Sequence, residues 1–194
     1  MIQIIRRIKK LQINQDNLKI FTTIAGFFVL LSYVYGVWKA PDRTALWGGI
    51  DGGLLKFSVV FMFVAAAGYL IMWYSVLFQM SAEDFENLRW TFSQKSGSGI
   101  NILAVAFVLF LIPSMLWLES TSFHLRTDYS WTPILVIGIL MLVSIGNILF
   151  IMLGLTAHAD GNPQGMMMAI GGAMISIQCI INDLIIWSWK FPWQ

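Results

Sequence analysis

The sequence has little charge: Lys, Arg, Asp and Glu together make up 11% of its 194 residues. Soluble domains typically carry about a quarter charged residues and about 45–50% apolar ones, whereas 58% of this chain is hydrophobic. Its mean hydropathy is +0.74, and its charges cluster between long uncharged stretches. These features exclude an ordinary soluble core and indicate an integral membrane protein.

Residues that carry chemistry are also scarce. The single cysteine, Cys179, excludes an intrachain disulfide, and the two histidines, His124 and His158, are expected on opposite sides of the membrane, where they cannot share a metal. The sequence has no P-loop, no glycine-rich dinucleotide motif, no nucleophile elbow and no paired-cysteine motif. Nothing therefore identifies an enzyme or indicates a haem, nucleotide or metal. Bound lipid is expected, and a net charge of +2 without a basic patch does not indicate a nucleic-acid partner.

Five apolar stretches are long enough to cross a hydrocarbon core, which takes about 20 helical residues. They predict one all-α membrane domain over residues 1–194, a bundle of five transmembrane helices at about 20–38, 54–80, 100–118, 133–157 and 165–189. Pro113 is expected to kink the third helix. The fifth stretch is interrupted by polar residues, so the alternative is a four-span protein whose last segment is re-entrant or packs on another subunit.

Residues 1–15 combine an apolar face with basic residues on the other faces. The apolar positions recur at helical spacing, and the stretch lacks the apolar core and cleavage site of a secretory signal. It predicts an amphipathic helix that lies in the membrane interface. A basic arm that contacts a partner subunit fits the same pattern equally well. The apolar positions are Ile4, Ile5, Ile8 and Leu11, and the basic ones are Arg6, Arg7, Lys9 and Lys10.

The same basic residues predict the orientation of the chain. With Lys19, five of the 12 Lys and Arg residues precede the first span, which favours an N-terminus on the cytoplasmic or equivalent side and a C-terminus on the opposite side. The loop between the second and third spans then lies inside. Ser81 is expected to cap a short amphipathic helix in this loop, with Phe85, Leu88 and Phe92 on one face.

The fifth span carries a stripe of small residues at near-heptad spacing. Small side chains mark the places where helices in a membrane approach closely, because lipid supplies no hydrophobic drive for their association. The stripe ends at Asp183, so this carboxylate is expected to face protein rather than lipid. The residues of this predicted helix-packing seam are Gly165, Ala169, Gly172, Ser176 and Cys179.

A second polar stripe on the fifth span contains Gln178 and Asn182, four residues apart. In a regular α-helix it lies roughly 100–140° around the axis from Asp183, which predicts protein contacts on two separate faces. With Asn147 of the fourth span, these three residues form the candidate intramembrane polar cluster. Asp183 lies near the predicted outer interface and is expected to form an ion pair, for which the candidates are Lys56, Arg43, Arg126 and Lys190. The ion pair could be structural, or Asp183 could bind a proton, a cation or a ligand.

Seven of the nine tryptophans fall at or beyond the predicted outer interface. An aromatic belt explains such a distribution, and an outer-face pocket or a partner surface is the alternative. Three functions remain open from the sequence. The preferred one is a non-catalytic accessory subunit of a larger membrane complex, in contact with other subunits, with copies of itself and with the bilayer. The others are a small transporter or channel, which would use Asp183, Asn182 and Gln178, and a lipid- or sterol-binding membrane protein or enzyme.

Overall fold

The computed structural model describes residues 13–127 and 129–193, and this part of the chain contains helices and turns but no strand. Five helices in it are long and apolar enough to cross a membrane. The prediction of a five-helix, all-α bundle is confirmed at this level. The predicted interfacial helix at 1–15 falls almost wholly outside the described residues. The five spans run Gln15–Lys39, Gly52–Gln79, Ser98–Thr127, Thr132–Ala159 and Pro163–Lys190.

The spans are built from α-helices and two stretches of wider π-helix. The first span is α1 (Gln15–Lys39), and the second is α2 (Gly52–Tyr74) followed by the π-helical Ser75–Gln79. The third and fourth spans are α4 (Ser98–Thr127) and α5 (Thr132–Ala159). The fifth consists of α6 (Pro163–Ser176), a π-helix over Ile177–Trp187 and the single turn α7 (Ser188–Lys190). A short helix, α3 (Ala82–Glu86), lies between the second and third spans.

The third span is longer than the sequence indicates. The polar stretch that follows Leu118 continues α4 to Thr127, and the helix also runs unbroken through Pro113. Hydrogen bonds within the helix stabilise its last turns, because the hydroxyls of Ser120 and Thr121 donate to the carbonyl of Trp117, at 2.8 and 2.9 Å. His124 is buried, and its Nδ1 lies 2.6 Å from the hydroxyl of Thr132. The expected loop at 119–132 is therefore mostly helix.

The bundle has two ends, which we call the N side and the C side. The N side is where the first span begins and where Arg89 pairs with Asp160 at 2.8 Å. The C side is where the fifth span ends. There the Trp187 indole donates to the carbonyl of Leu46 at 3.0 Å and fixes the loop between the first two spans.

The short helix α3 lies on the N side. Ser81 caps it, with the hydroxyl accepting from the backbone N–H of Asp84 at 3.0 Å. Phe85 and Leu88 are buried, but Phe92 is 79% exposed. The capping residue is the one that the sequence indicates, and Phe92 does not share the buried face of Phe85 and Leu88.

The fourth and fifth spans meet through a tight turn and small side chains. Gly161 has a φ of +88°, which a glycine adopts without strain, and Asn162 caps α6 by accepting from the N–H of Gln164. A Cβ on Gly154 would lie 2.9 Å from the carbonyl of Gly165, so these backbones touch directly. Such approach is the reason that small residues mark helix interfaces in membranes.

Candidate functional site

The fifth span changes its winding halfway along, and this change builds the polar site. From Ile177 to Trp187 the backbone is a π-helix, in which hydrogen bonds span residues i and i+5 and the turn is wider than in an α-helix, so that residues five apart lie closer to one face. Gln178 and Asp183 are five apart, and the Gln178 amide donates to Asp183 Oδ1 at 2.8 Å. The prediction that they lie on separate faces was wrong, because it assumed the 3.6-residue α-helical period.

Asn182 completes this group and ties it to the second span. Its Nδ2 donates to the same Asp183 Oδ1 at 3.2 Å, and its Oδ1 accepts from the hydroxyl of Ser58 at 2.7 Å. Asn182 is buried, as is Gln178, while Asp183 is partly buried. The structure therefore places three of the four predicted cluster residues together, with Ser58 as a member that the sequence did not indicate.

Asn147 is not brought into this group. It is fully buried in α5, and neither its Nδ2 nor its Oδ1 has a hydrogen-bond partner among the described residues. It does not line the cavity described below. Its side chain lies beside Cys179 of the fifth span, but it forms no hydrogen bond with Gln178, Asn182 or Asp183.

The expected ion pair of Asp183 is not formed. None of the four candidate cations lies within 4.0 Å of its carboxylate; the ion pairs found in the described part of the chain involve Asp16, Glu119 and Asp160. Arg126 pairs with Glu119 at 2.7 Å, Lys190 lies over the ring of Trp189, and Lys56 is exposed. Arg43 donates to the carbonyl of Val37 at 3.2 Å. The two amide donors replace the cation that the sequence-based reasoning required.

The predicted seam divides between packing and the site. A Cβ on Gly172 would meet Ile151 of the fourth span at 2.9 Å, and Ala169 lies against Gly154 of the same span. The hydroxyl of Ser176 donates to the carbonyl of Gly172 in the same span, at 2.8 Å. Cys179, where the span has become π-helical, instead lines a cavity together with Asp183.

This cavity lies between the first, second, third and fifth spans and has a volume of about 710 Å³. Along the first span it extends from Thr22 to Val37, about 22 Å at the α-helical rise. Its walls are mostly apolar. The polar or aromatic side chains that line it are Thr22, Thr23, Tyr33, Arg43, Trp47, Tyr69, Trp73, Phe110, Ser114, Trp117, Gln178, Asn182, Asp183 and Trp187.

Both ends of the cavity are closed by protein. On the N side, the Trp73 indole donates to the hydroxyl of Thr22 at 2.7 Å and joins the first and second spans. On the C side, Leu46, Trp47 and Ile50 of the connecting loop form part of the wall. Between these ends the cavity separates the two spans.

One carboxylate oxygen of Asp183, a residue that lines the cavity, makes no hydrogen bond with the described residues. Its Oδ1 accepts both amide hydrogen bonds, whereas Oδ2 takes part in none and is not among the sealed, unpaired polar atoms of the described residues. The hydroxyl of Tyr33, which also lines the cavity, likewise makes no hydrogen bond with the described residues and is not among their buried, unpaired polar atoms. An acceptor and a hydroxyl are thus open to a ligand.

Three more polar atoms on the lining residues are buried without a partner: Tyr69 OH, Trp117 Nε1 and Gln178 Oε1. Neighbouring atoms cover them, so side-chain adjustment is needed before a ligand can reach them. Buried polar atoms without partners are rare in folded proteins. Three of them around one cavity are typical of a site that a bound molecule or water completes.

No strong sequence pattern indicates the opposite wall of the cavity, which the first span and the loop after it form. Thr22, Gly26, Val29 and Tyr33 recur at helical spacing in the first span and mix small with polar residues, and this stripe was the available indication. Trp47 and Arg43 lie in a loop, whose position over the cavity depends on its contact with Trp187. Within 13–127 and 129–193, no group of three or more His, Cys, Asp or Glu residues is placed to hold a metal ion.

No protein-family model matches this chain, and no curated protein or solved structure matches it either. The function therefore has to be inferred from the geometry of the cavity and its polar group.

Proposed function

We propose that this protein binds a small amphipathic molecule, which enters the cavity sideways from the bilayer. The observation that carries this proposal is an elongated apolar cavity that is closed at both ends of the bundle and carries a carboxylate on its wall. Its volume of about 710 Å³ falls within the range of about 300–1,000 Å³ that small-molecule sites occupy.

The side of the cavity faces the region that acyl chains would occupy. Its margins include Leu30 of the first span and Leu70 of the second, which are 65% and 58% exposed. Both side chains are apolar and lie in the middle of spans. A ligand with a hydrocarbon body could therefore pass between the two spans without crossing water.

A transmembrane helix of another subunit fits this cavity poorly. Such a helix would have to leave at both membrane surfaces, but the Trp73–Thr22 contact and the loop at Leu46 and Trp47 close the two ends. A ligand of about 20 Å or less has no such requirement. The geometry thus favours the binding hypothesis over an interface between subunits at this place.

The other sequence-based hypotheses remain predictions. An accessory subunit would be identified by native mass measurement in mild detergent, where a monodisperse monomer of about 22.0 kDa contradicts it. A transporter would use the same Asp183 group and would have to open the Trp73–Thr22 closure. With the predicted orientation, the C side is the outer one, and the polar end of the cavity lies in the outer leaflet.

The test uses a dodecyl chain that carries a diazirine, presented to the protein in nanodiscs of zwitterionic lipid. Photolabelling is mapped by peptide mass spectrometry, and unlabelled dodecanol serves as competitor. Binding in the cavity predicts saturable labelling of the peptides that contain Met62, Leu70 and Leu111, which line it.

Two variants on one helix turn give a matched control. Ala65 lines the cavity, while Ala67 does not and is exposed. Ala65→Trp fills part of the cavity and is expected to reduce the saturable labelling at least about fivefold, whereas Ala67→Trp leaves it within about twofold. Labelling that does not saturate, or that both variants change equally, would contradict the proposal.

A further inference from the structure

We infer that the ligand of this cavity carries a positively charged nitrogen, as an alkylammonium does. This inference rests on the proposed binding function and adds the chemical class of the ligand. Three observations carry it: an acidic side chain without a protein cation, an aromatic wall beside it, and the placement of the single basic residue that lines the cavity in the described part of the chain.

The carboxylate of Asp183 has hydrogen-bond donors but no counter-charge. Gln178 and Asn182 both donate to Oδ1, and no Lys, Arg or His nitrogen of the described residues lies within 4.0 Å of the carboxylate. A carboxylate within a membrane domain is costly unless it is paired. Oδ2, which accepts no hydrogen bond from the described residues, is the atom that a cationic group of the ligand would approach.

Aromatic rings surround this end of the cavity. Tyr33 and Trp117 lie with their ring centroids 6.3 Å apart, Trp117 and Trp187 lie 5.7 Å apart, and all three line the cavity with Asp183. The faces of Trp and Tyr rings attract cations, most strongly where water is excluded. Aromatic rings and an unpaired carboxylate in one cavity favour an organic ammonium over a neutral hydroxyl or an anion.

Arg43 does not supply the missing charge. Its side chain is exposed, and its Nε donates to the carbonyl of Val37 at the rim of the cavity. It belongs to the loop that closes the C side, while Asp183 lies on the wall formed by the fifth span. An anionic ligand that met Arg43 would still be repelled by Asp183 in the same cavity.

The experiment compares three competitors with the same dodecyl chain: dodecyltrimethylammonium, dodecanol and dodecanoate. Each displaces the diazirine probe from the protein in zwitterionic nanodiscs at neutral pH. We expect the ammonium to compete at about tenfold lower concentration than the alcohol, and dodecanoate to be the weakest.

Asp183→Asn tests the charge, because it keeps an acceptor of the same shape. It should reduce the preference for the ammonium over the alcohol to about threefold or less. Asp51→Asn is the matched control: it makes the same chemical change on the C side, at an exposed helix cap outside the cavity where Asn serves equally well. It should leave the preference unchanged.

Tyr33 provides a second test that does not alter the Asp183 group. Tyr33→Phe keeps the aromatic face and should leave ammonium competition within about twofold, while Tyr33→Leu should weaken it about fivefold. The failures are distinguishable. If no competitor displaces the probe, the proposed binding function is wrong; if all three displace it equally and Asp183→Asn changes nothing, the cavity stands and the inference about charge is wrong.

Discussion

The two halves of the fifth span differ in their helical winding and in what they contact. The first half, α6, is α-helical and packs so closely that a Cβ on Gly171 would lie 3.0 Å from the backbone nitrogen of Met72. The second half is a π-helix whose polar side chains gather at the cavity. One half holds the bundle together and the other shapes the site.

The difference comes from side-chain size and winding. Glycine and alanine allow α6 to touch the second and fourth spans, so its position is fixed by backbone contact. The wider turn of the π-helix aligns residues five apart, and π-helical segments occur often at functional sites. A helix can thus be anchored by one half while its other half presents polar groups to a cavity.

The largest expected effect comes from breaking the close-packed half. Gly171→Ala places a methyl group against the carbonyl of Gly68 and the backbone of Met72. We expect it to lower the free energy of unfolding by about 2 kcal/mol, since an overpacked contact must spread the helices. The measurement is unfolding in a mild detergent titrated with a denaturing one.

Gly138→Ala is the control for this change, because nothing lies within 4 Å of its Cβ position. There the alanine should be neutral or stabilising by up to about 1 kcal/mol through helix propensity. An equal loss of stability in both variants would mean that backbone contact is not what distinguishes α6.

Trp187→Phe tests the contact that the end of the π-helix makes with the loop between the first two spans. It keeps an aromatic ring and removes the hydrogen bond to the carbonyl of Leu46. The expected loss is about 1 kcal/mol in the free energy of unfolding, because a buried acceptor loses its partner. Faster proteolysis of the loop at 40–51 should accompany it. Trp189→Phe, at a position that is 82% exposed, should change neither quantity.

A smaller effect is expected from the link between the second span and the π-helix. The hydroxyl of Ser58 donates to Asn182 Oδ1 at 2.7 Å, and the carbonyl of Leu54, at 3.0 Å, is the alternative acceptor for its single hydrogen. A double-mutant cycle of Ser58→Ala and Asn182→Leu should give a coupling of about 0.6 kcal/mol, the average for polar contacts between membrane helices. Strictly additive single effects would contradict this contact.

The smallest effect lies on the N side, just before α6. Arg89 donates to both carboxylate oxygens of Asp160, at 3.0 and 2.8 Å, and these hydrogen bonds hold the pKa of Asp160 below its ordinary value of 3.8. A lowered pKa stabilises the folded state above the unfolded value and loses this contribution as the pH falls through the folded value. Asp160→Asn should therefore lower the apparent melting temperature slightly at pH 7.

The pH dependence checks the origin of that small difference. The wild type and Asp160→Asn should converge only as the pH falls below the folded-state pKa of Asp160, which lies under 3.8, because the carboxylate is then protonated in both the folded and the unfolded states. The effect stays small because exposed ion pairs contribute little. A difference that persists unchanged at low pH would show that the ion pair is not its cause.

Much of the fold could be predicted because the membrane restricts the choice. Long apolar runs leave helices as the means of satisfying the backbone, so the five spans followed from hydropathy. The end of α4 could not be located in the same way: Ser120 and Thr121 read as loop residues, yet their hydroxyls bond back to Trp117 and the helix continues. Polar side chains do not mark the end of a helix when they hydrogen-bond to the backbone of that same helix.

The candidate site was predicted by residue but not by arrangement. Gln178, Asn182 and Asp183 were identifiable because polar side chains within an apolar membrane span are costly unless they have partners. Their convergence was not, since it depends on a π-helical turn that the 3.6-residue period does not describe. The candidate partners of Asp183 were chosen by charge alone, and the structure gave the carboxylate two amides instead.

Composition and the length of the apolar runs are enough to predict a helical bundle of apolar spans, because in a membrane the backbone has to satisfy its own hydrogen bonds. The sequence also identifies the polar residues that are costly in a membrane span when they have no partner. The separation of the first and second spans, with the loop at Leu46 closing the space between them, depends instead on contacts between distant parts of the chain. A cavity is a property of contacts between distant segments, and no local pattern in one helix carries it.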